Sequence, residues 1–222
     1  MPNYMGAKSA TGAAQAIIAQ MPPHDTYIET HLGTGAIMHA KPQAARSIAI
    51  DIDAQTLEDF PPPEYAEIEC GDAIKFLESF DWSDAGRSLV YADPPYLHST
   101  RRSSKRYRHD YEDGDHLELL GLLRTIPADV IISGYPSELY DRLLGDWRCV
   151  RFQVMTRGGP RTECIWMNFE AGDVQWARFA GSNFTDRQRI KRKAARWQKN
   201  YMKAPAGERL AILAALLETE AT

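Results

Sequence analysis

The chain has no apolar run near the roughly 18 residues that a membrane-spanning helix needs. Its N-terminal stretch, MPNYMGAKSA, lacks the long apolar core of a signal peptide. A cytoplasmic protein without membrane contact is therefore expected. Cysteine is scarce: Cys70, Cys149 and Cys164 are the three present, and no two form a CxxC pair. An odd, scattered set argues against a disulfide framework and a zinc site, and leaves buried reduced thiols. None of the six histidines (His24, His31, His39, His98, His109, His116) has metal-like spacing, so no metal is expected. Internal repeats and low-complexity linkers are absent too. The P-loop pattern GxxxxGK[ST] does not occur, which removes the commonest cradle for phosphates.

What is present suits one well-packed core with a small appendage: 222 residues, 44% hydrophobic and 25% charged. The net charge of −4 is unevenly spread. Residues 186–203, DRQRIKRKAARWQKNYMK, hold eight Lys/Arg and one Asp, a charge of +7, so the remainder carries −11. Such asymmetry predicts a basic contact surface on an acidic body.

Short apolar runs alternate with helical patterns. Residues 26–29, 47–51, 66–70, 88–92 and 129–133 read as strands bounded by Gly, Pro and Asp. Residues 9–21, 36–41, 73–80 and 115–124 read as helices, and 54–63 is a weak one that three prolines end. This alternation predicts a parallel α/β sheet with right-handed crossovers. The pattern then changes. Residues 148–156 and 163–169 read as a hairpin turning at RGGPRT, an antiparallel finish to the sheet. Beyond it the chain is basic and helical. Thr185, with Gln188 three residues on, reads as a capping box, and Pro205 opens a last apolar helix.

Two stretches carry the chemistry. The first is YIETHLGTGAIM, residues 27–38. In a doubly wound sheet the first strand-to-helix turn is where a nucleotide-like ligand sits. Gly33 and Gly35 allow a close backbone approach, since no Cβ intervenes. Asp51 ends the second strand roughly 20 residues on, where a carboxylate can accept bonds from ribose hydroxyls. Asp72 follows the third strand and reads either as a contact for an adenine amino group or as a helix N-cap. The full GxGxxG is missing, so a nucleoside without a pyrophosphate fits better than a dinucleotide.

The second stretch is LVYADPPYLHST, residues 89–100. Asp93 stands at the carboxyl end of the fourth strand, beside the point where strand order reverses. Two prolines in a row stop the strand and fix its last carbonyls, because proline has no N–H and one φ. The Asp93 carboxylate and the Pro94 carbonyl then form a rigid pair of acceptors, and Tyr96 adds a flat face. That set suits an exocyclic amine on an aromatic base. Both N–H groups are held, and the lone pair is turned toward an electrophile.

DPPY, with HLGTGA upstream and NYMGAKS at the N-terminus, resembles the S-adenosylmethionine-dependent DNA adenine-N6 methyltransferases of the Dam-like (D12) class. It looks closest to the short phage and prophage forms. The resemblance runs from Asn3 to about Phe169, and the basic tail is similar to theirs. It implies a Rossmann-like class I methyltransferase sheet in residues 1–180, mostly parallel with a terminal antiparallel hairpin, and a basic helical extension in 181–222. It implies S-adenosylmethionine as cofactor and DNA as partner; the oligomeric state, monomer or homodimer, stays open. Tyr4, Met5, Gly6 and Lys8 match the N-terminal cofactor motif. Glu29, Leu32, Gly33 and Gly35 match the cofactor loop. Asp51 with Ile52 matches the ribose acid, and Asp72 with Ala73 the adenine turn. Asp93, Pro94, Pro95 and Tyr96 match the catalytic motif. The chain departs from the family at Thr30 and His31, where an aromatic and a richer glycine run are usual. Gly35 and Asp93 are only about 58 residues apart, too few for the recognition domain that Dam carries between them.

DNA contacts are therefore expected after DPPY. Arg101, Arg102, Lys105 and Arg106 with Tyr107 form one basic, aromatic segment, which otherwise reads as a solvated loop. Arg189, Arg192, Lys193 and Arg196 recur at helical spacing and form a second basic stripe, or merely a charged outer face. On that helix Ile190, Ala194 and Trp197 are expected to pack. Tyr135, in SGYPSELY, is expected either at the target-base pocket or in the core. Both candidate surfaces are small, which predicts short or relaxed sequence specificity. Cytosine N4, RNA adenine and a protein glutamine amide remain rival acceptors, and a non-catalytic relic that binds DNA or cofactor is the rival from another class.

Overall fold

The computed structural model describes residues 8, 13–101, 108–156, 159–171, 180, 181 and 183–220. The chain divides into two compact units, residues 1–177 and 178–222.

The first unit is a doubly wound α/β sheet. Five parallel strands, β1 Thr26–Glu29, β2 Arg46–Asp51, β3 Glu67–Cys70, β4 Ser88–Ala92 and β5 Asp129–Gly134, follow the sequence expectation closely. Strands β6 Arg148–Thr156 and β7 Gly159–Met167 complete a seven-stranded sheet in the order β3-β2-β1-β4-β5-β7-β6. β7 runs antiparallel between β5 and β6. Strands β1 and β4 are buried at every position, which accounts for their unbroken apolar runs. β3 is an edge strand, exposed throughout, with Glu67 and Glu69 discouraging further pairing.

Helix α1 Ala13–Ile18 precedes β1, and helices α2 Ala36–Ala40, α3 Ala54–Asp59, α4 Ala73–Ser79 and α5 Asp113–Leu123 connect the parallel strands. α3 closes at Phe60, just before the three prolines. α5 starts two residues earlier than expected. There Glu112 and Asp115 form a reciprocal capping box, and Leu119, Leu120 and Leu123 are buried on the sheet. A short helix, α6 Glu138–Leu143, was not expected; Ser137 caps it by accepting from the Tyr140 amide. The Pro136-Ser137 pair was its only sequence signal.

The hairpin is tighter than RGGPRT suggests. Thr156 pairs with Gly159, so Pro160, Arg161 and Thr162 are strand residues. Proline is tolerated because β5 pairs with β7 only at Cys164–Met167, leaving Pro160 without a neighbour on that side. The thiols also depart from expectation: Cys164 is buried, whereas Cys70 and Cys149 are exposed.

The second unit comprises α7 Phe184–Lys203 and α8 Ala206–Glu220. The cap of α7 is Asn183, not Thr185; its side chain accepts from the Asp186 amide. No residue of α7 is buried. Trp197, expected to pack, is 62% exposed, as are comparable fractions of Phe184, Leu210 and Leu216. A two-helix unit has too little surface to enclose its own apolar stripe.

Candidate active site

The carboxyl ends of β1, β2, β3 and β4 surround a cleft of about 270 Å³. It lies where strand order reverses between β1 and β4. Glu29, Leu32, Gly33, Asp51, Ile52, Asp72, Ala73, Asp93, Pro94, Pro95, Tyr96 and Lys8 all reach its wall. Residues scattered over the expected motifs are thus brought into one site.

The glycine loop is held from both sides. The Leu32 amide donates to the Ile50 carbonyl at 2.9 Å, and the Gly35 amide to the Leu32 carbonyl at 2.8 Å. Gly33 and Gly35 have φ of 52° and 61°, a left-handed backbone that side chains resist. Gly35 itself is not on the cleft wall. Its role is the turn, since a Cβ there would meet His39 at 3.3 Å. Asp51 is the anchor of the loop: Oδ2 accepts from the Gly33 amide at 2.9 Å and Oδ1 from the Asp53 amide at 3.0 Å. Burial raises its carboxyl above the usual range. Each oxygen keeps a second lone pair for a ligand hydroxyl.

Asp72 is the N-cap of α4, with Oδ1 accepting from the Ile74 and Lys75 amides. It also faces the cleft, so both of its expected readings are compatible with its position. Ile52 is 45% exposed at the rim, unusual for isoleucine, while Ala73 is buried. On the floor, Glu29 is 2% exposed and accepts from the Tyr27 hydroxyl at 2.9 Å. Burial pushes its carboxyl up to about 8.

The Asp93 end carries the densest polar cluster. Lys8 Nζ lies 2.8 and 2.7 Å from the two oxygens of Asp93 and 2.9 Å from Glu163 Oε1. It also donates to the Tyr96 hydroxyl, which in turn donates to Glu163 at 2.7 Å. The Ser133 hydroxyl donates to Asp93 Oδ1 at 3.1 Å. Lys8 and Glu163 are 6% and 3% exposed, so a lysine and two carboxylates share a nearly closed space. Burial opposes the Lys8 charge, but Asp93, Tyr96 and Glu163 outweigh it and hold the ammonium well above its ordinary range. Burial raises the Asp93 carboxyl, Lys8 pulls it back, and Glu163 pushes it up again.

Sequence reasoning missed Glu163. Its signal was a charged residue inside the otherwise apolar strand ECIWM. Tyr96 differs from expectation. Its hydroxyl is tied into this cluster and its ring meets Tyr135 edge-on at 4.4 Å, so it walls the cleft rather than offering a free face. Tyr135 is half-buried and lies beneath the Arg161 guanidinium, 3.7 Å from the ring centre.

The basic segment after DPPY also needs correction. Arg101 is not an exposed phosphate contact. It turns inward, bidentate to Asp110, with Nε donating to the Tyr96 carbonyl. Its side chain is only 9% exposed, because a guanidinium matched to a buried carboxylate is better placed there than in water. Arg102, Lys105, Arg106 and Tyr107 lie outside the described residues, as do Tyr4, Met5 and Gly6. The segment returns to the cleft. Arg108 pairs with Asp53 at 2.6 Å, and the Tyr111 hydroxyl meets His31 Nε2 at 3.1 Å. His31 Nδ1 in turn meets the Thr30 hydroxyl at 2.8 Å. Burial pushes His31 down to about 3, so it is neutral. Thr30 and His31, where the sequence departs from the resemblance, thereby tie the glycine loop to the segment after Asp93-Pro94-Pro95-Tyr96.

In α7, Arg189, Arg192, Lys193 and Arg196 are all exposed. Arg189 is paired with Asp186 at 2.8 Å. Among the described residues no cluster of His, Cys, Asp and Glu could hold a metal ion, and no helix is long and apolar enough to cross a membrane.

No protein-family model and no curated protein matches the chain. Several solved structures are similar to it. The N-methyltransferase NodS from Bradyrhizobium japonicum WM9 is similar over 70% of this chain and 93% of its own, with 11% identity and a TM-score of 0.47. A putative O-methyltransferase from Klebsiella pneumoniae is similar over 75% and 84%, with 14% identity and a TM-score of 0.47. An rRNA methylase from Streptococcus thermophilus is similar over 73% and 97%, with 12% identity and a TM-score of 0.45. None of these similarities bears on what this chain acts on. Its own strand order, with β7 antiparallel, is the Rossmann-like class I methyltransferase arrangement that the resemblance implied.

Proposed function

We propose that this protein is a methyltransferase that uses S-adenosylmethionine and methylates the N6 amine of adenine in DNA. The observation that carries the reading is the convergence of the Gly33–Asp51 loop and the Asp93-Pro94-Pro95-Tyr96 motif on one cleft. The cofactor fits what lines it. Asp51 has acceptor capacity left for ribose hydroxyls, and Ile52 and Ala73 give apolar contact for an adenine ring beside Asp72. When bound, the sulfonium supplies an electrophilic methyl group.

The chain's own contribution is positioning. The target base leaves the duplex and enters beside Asp93. The Asp93 carboxylate and the Pro94 carbonyl accept its two amine N–H bonds, which turns the nitrogen lone pair toward the cofactor side. Acceptors fixed in advance by two prolines need no reorganisation during the reaction. Exposed Arg192, Lys193 and Arg196 would supply phosphate contacts with little sequence choice. Protection of DNA from restriction is one role such an enzyme serves.

The test is transfer of labelled methyl from S-adenosylmethionine to unmethylated duplex DNA, followed by nucleoside mass spectrometry, with Asp93→Ala in parallel. N6-methyladenine that falls by about 10³-fold or more in the variant supports the reading. N4-methylcytosine would change the base. No product on DNA, with cofactor still bound, would reject DNA as the substrate.

A further inference from the structure

Glu163 has no assigned part in the reaction above, yet it is a charged residue buried beside another carboxylate on the same lysine. It projects from β7 and is 3% exposed, behind Lys8 and Tyr96 rather than on the cleft wall. Lys8 brings one positive charge to two carboxylates, at 2.7 and 2.9 Å. With both acids ionised the cluster holds one uncompensated negative charge. Burying such a charge costs several kcal/mol by usual magnitudes, and a fold selected for stability alone would pair Lys8 with a single acid. Clusters that break this rule mark functional sites.

We infer that Glu163 is a positioning residue: it competes with Asp93 for the single charge of Lys8, and so leaves the Asp93 carboxylate able to take up the proton that the methylated amine releases. The inference rests on the methyltransferase reading. The proton balance requires such an acceptor. As the amine nitrogen forms its bond to the methyl carbon, the carbon–sulfur pair returns to sulfur, and nitrogen becomes cationic. Loss of one N–H proton to Asp93 makes the N-methyl product neutral. Asp93 then returns the proton to water through its 18% exposed edge. A carboxylate fully neutralised by a lysine is a poor proton acceptor, while a second acid on the same lysine restores its basicity.

Neighbouring elements contribute groups that face Asp93. Tyr91 and Tyr96 flank it in sequence, Ser133 comes from β5, Tyr135 from the turn after β5, Tyr140 from α6, Glu163 from β7, Lys8 from the N-terminal segment and Glu29 from β1. Among these, Glu163 is the acid that shares Lys8 with Asp93.

Glu163→Gln keeps an acceptor for Lys8 and Tyr96 and removes only the charge. The primary measurement needs no substrate. The side-chain carboxyl of Asp93 is titrated by carbon NMR in the full chain, with Asp93→Asn identifying its signal. The inference expects the Asp93 midpoint to fall by about one pH unit or more in Glu163→Gln, with the thermal midpoint not lowered. It also expects kcat for methyl transfer to fall at least tenfold with KM little changed, and Glu163→Asp to recover part of it. An unmoved Asp93 midpoint would overturn the inference, as would a variant that loses stability while kcat is unchanged. Tyr96→Phe provides a check if Glu163→Gln does not fold. It loosens Glu163 without discharging it, so the Asp93 midpoint should stay within a few tenths of a unit, and a fall as large as that expected for Glu163→Gln would count against the charge argument. Should the midpoint move as expected while no methyl reaches DNA, the charge coupling stands and the substrate reading fails.

Discussion

The Lys8 cluster and helix α7 are the two places where this chain concentrates charge, and they treat it in opposite ways. At the cluster, four ionisable side chains from three separate stretches of the sequence are packed together, three of them buried and the Asp93 side chain 18% exposed. In α7, eight basic residues stand on one continuous helix, and no residue of it is buried. Buried charges interact strongly, shift one another's protonation and depend on every partner. Exposed charges are screened, nearly independent and individually dispensable. The contrast suits a division of labour: chemistry where charge is costly and exact, and attachment to a polyanion where it is plentiful and loosely held.

That contrast can be broken most decisively at Lys8. Lys8→Met removes the cation that pairs with both Asp93 and Glu163, and is expected to cost about 3–5 kcal/mol in denaturant unfolding at neutral pH. Lys193→Ala, by comparison, should stay within about 0.5 kcal/mol. Similar losses at the two positions would mean that the cluster is wetter than its burial implies.

A smaller effect concerns the neighbouring Glu29. Its carboxyl is held at about 8 by burial, against 4.5 in an ordinary setting. An unfolded chain ionises this acid above 4.5 while the fold resists until about 8, so stability falls as pH rises through that window. Glu29→Gln removes the ionisation. It should flatten the slope between pH 5 and 8 by up to about 1.4 kcal/mol per unit, and leave the variant the more stable protein at pH 8. Equal slopes in urea titrations of both proteins would show Glu29 to be ionised in the fold. Three histidines, His116 buried and His24 and His31 half-buried, act on the acid side. His31, His24 and His116 are pushed from 6.5 to about 3, 4 and 4, so the fold loses stability as pH drops below 6.5.

The smallest effect is expected in α7. Replacing Arg192, Lys193 and Arg196 together with Ala should weaken duplex DNA binding about tenfold at physiological salt. It should also reduce the slope of log affinity against log salt by up to about 3, with kcat unchanged. A loss of kcat in this variant would erase the division between attachment and chemistry. An unchanged salt slope would assign phosphate binding elsewhere on the molecule.

Much of the fold was legible because local rules decide it. Five strand positions, the DPPY strand end and the antiparallel finish followed from apolar runs and their Gly, Pro and Asp boundaries. Errors arose where two local signals competed. Asn183 and Thr185 are both capable caps, and the earlier one prevails by satisfying the Asp186 amide. RGGPRT contains a turn and also strand, because Pro160 stands beyond the reach of β5. Trp197 lies on an apolar stripe that nothing in its own unit is large enough to cover.

By itself, then, the sequence determined the sheet, the glycine turn, the rigid Asp93-Pro94-Pro95 corner and the basic periodicity of α7, since each depends on residues close together along the chain. Only the tertiary structure decided that Lys8 would bridge Asp93 and Glu163, 85 residues from the first of these. It alone turned Arg101 inward onto Asp110, fastened the Tyr96 hydroxyl and joined His31 to Tyr111. Those outcomes depend on which side chains share a space without water. There the energy of a charge is set by its neighbours in three dimensions, which spacing along the chain does not encode.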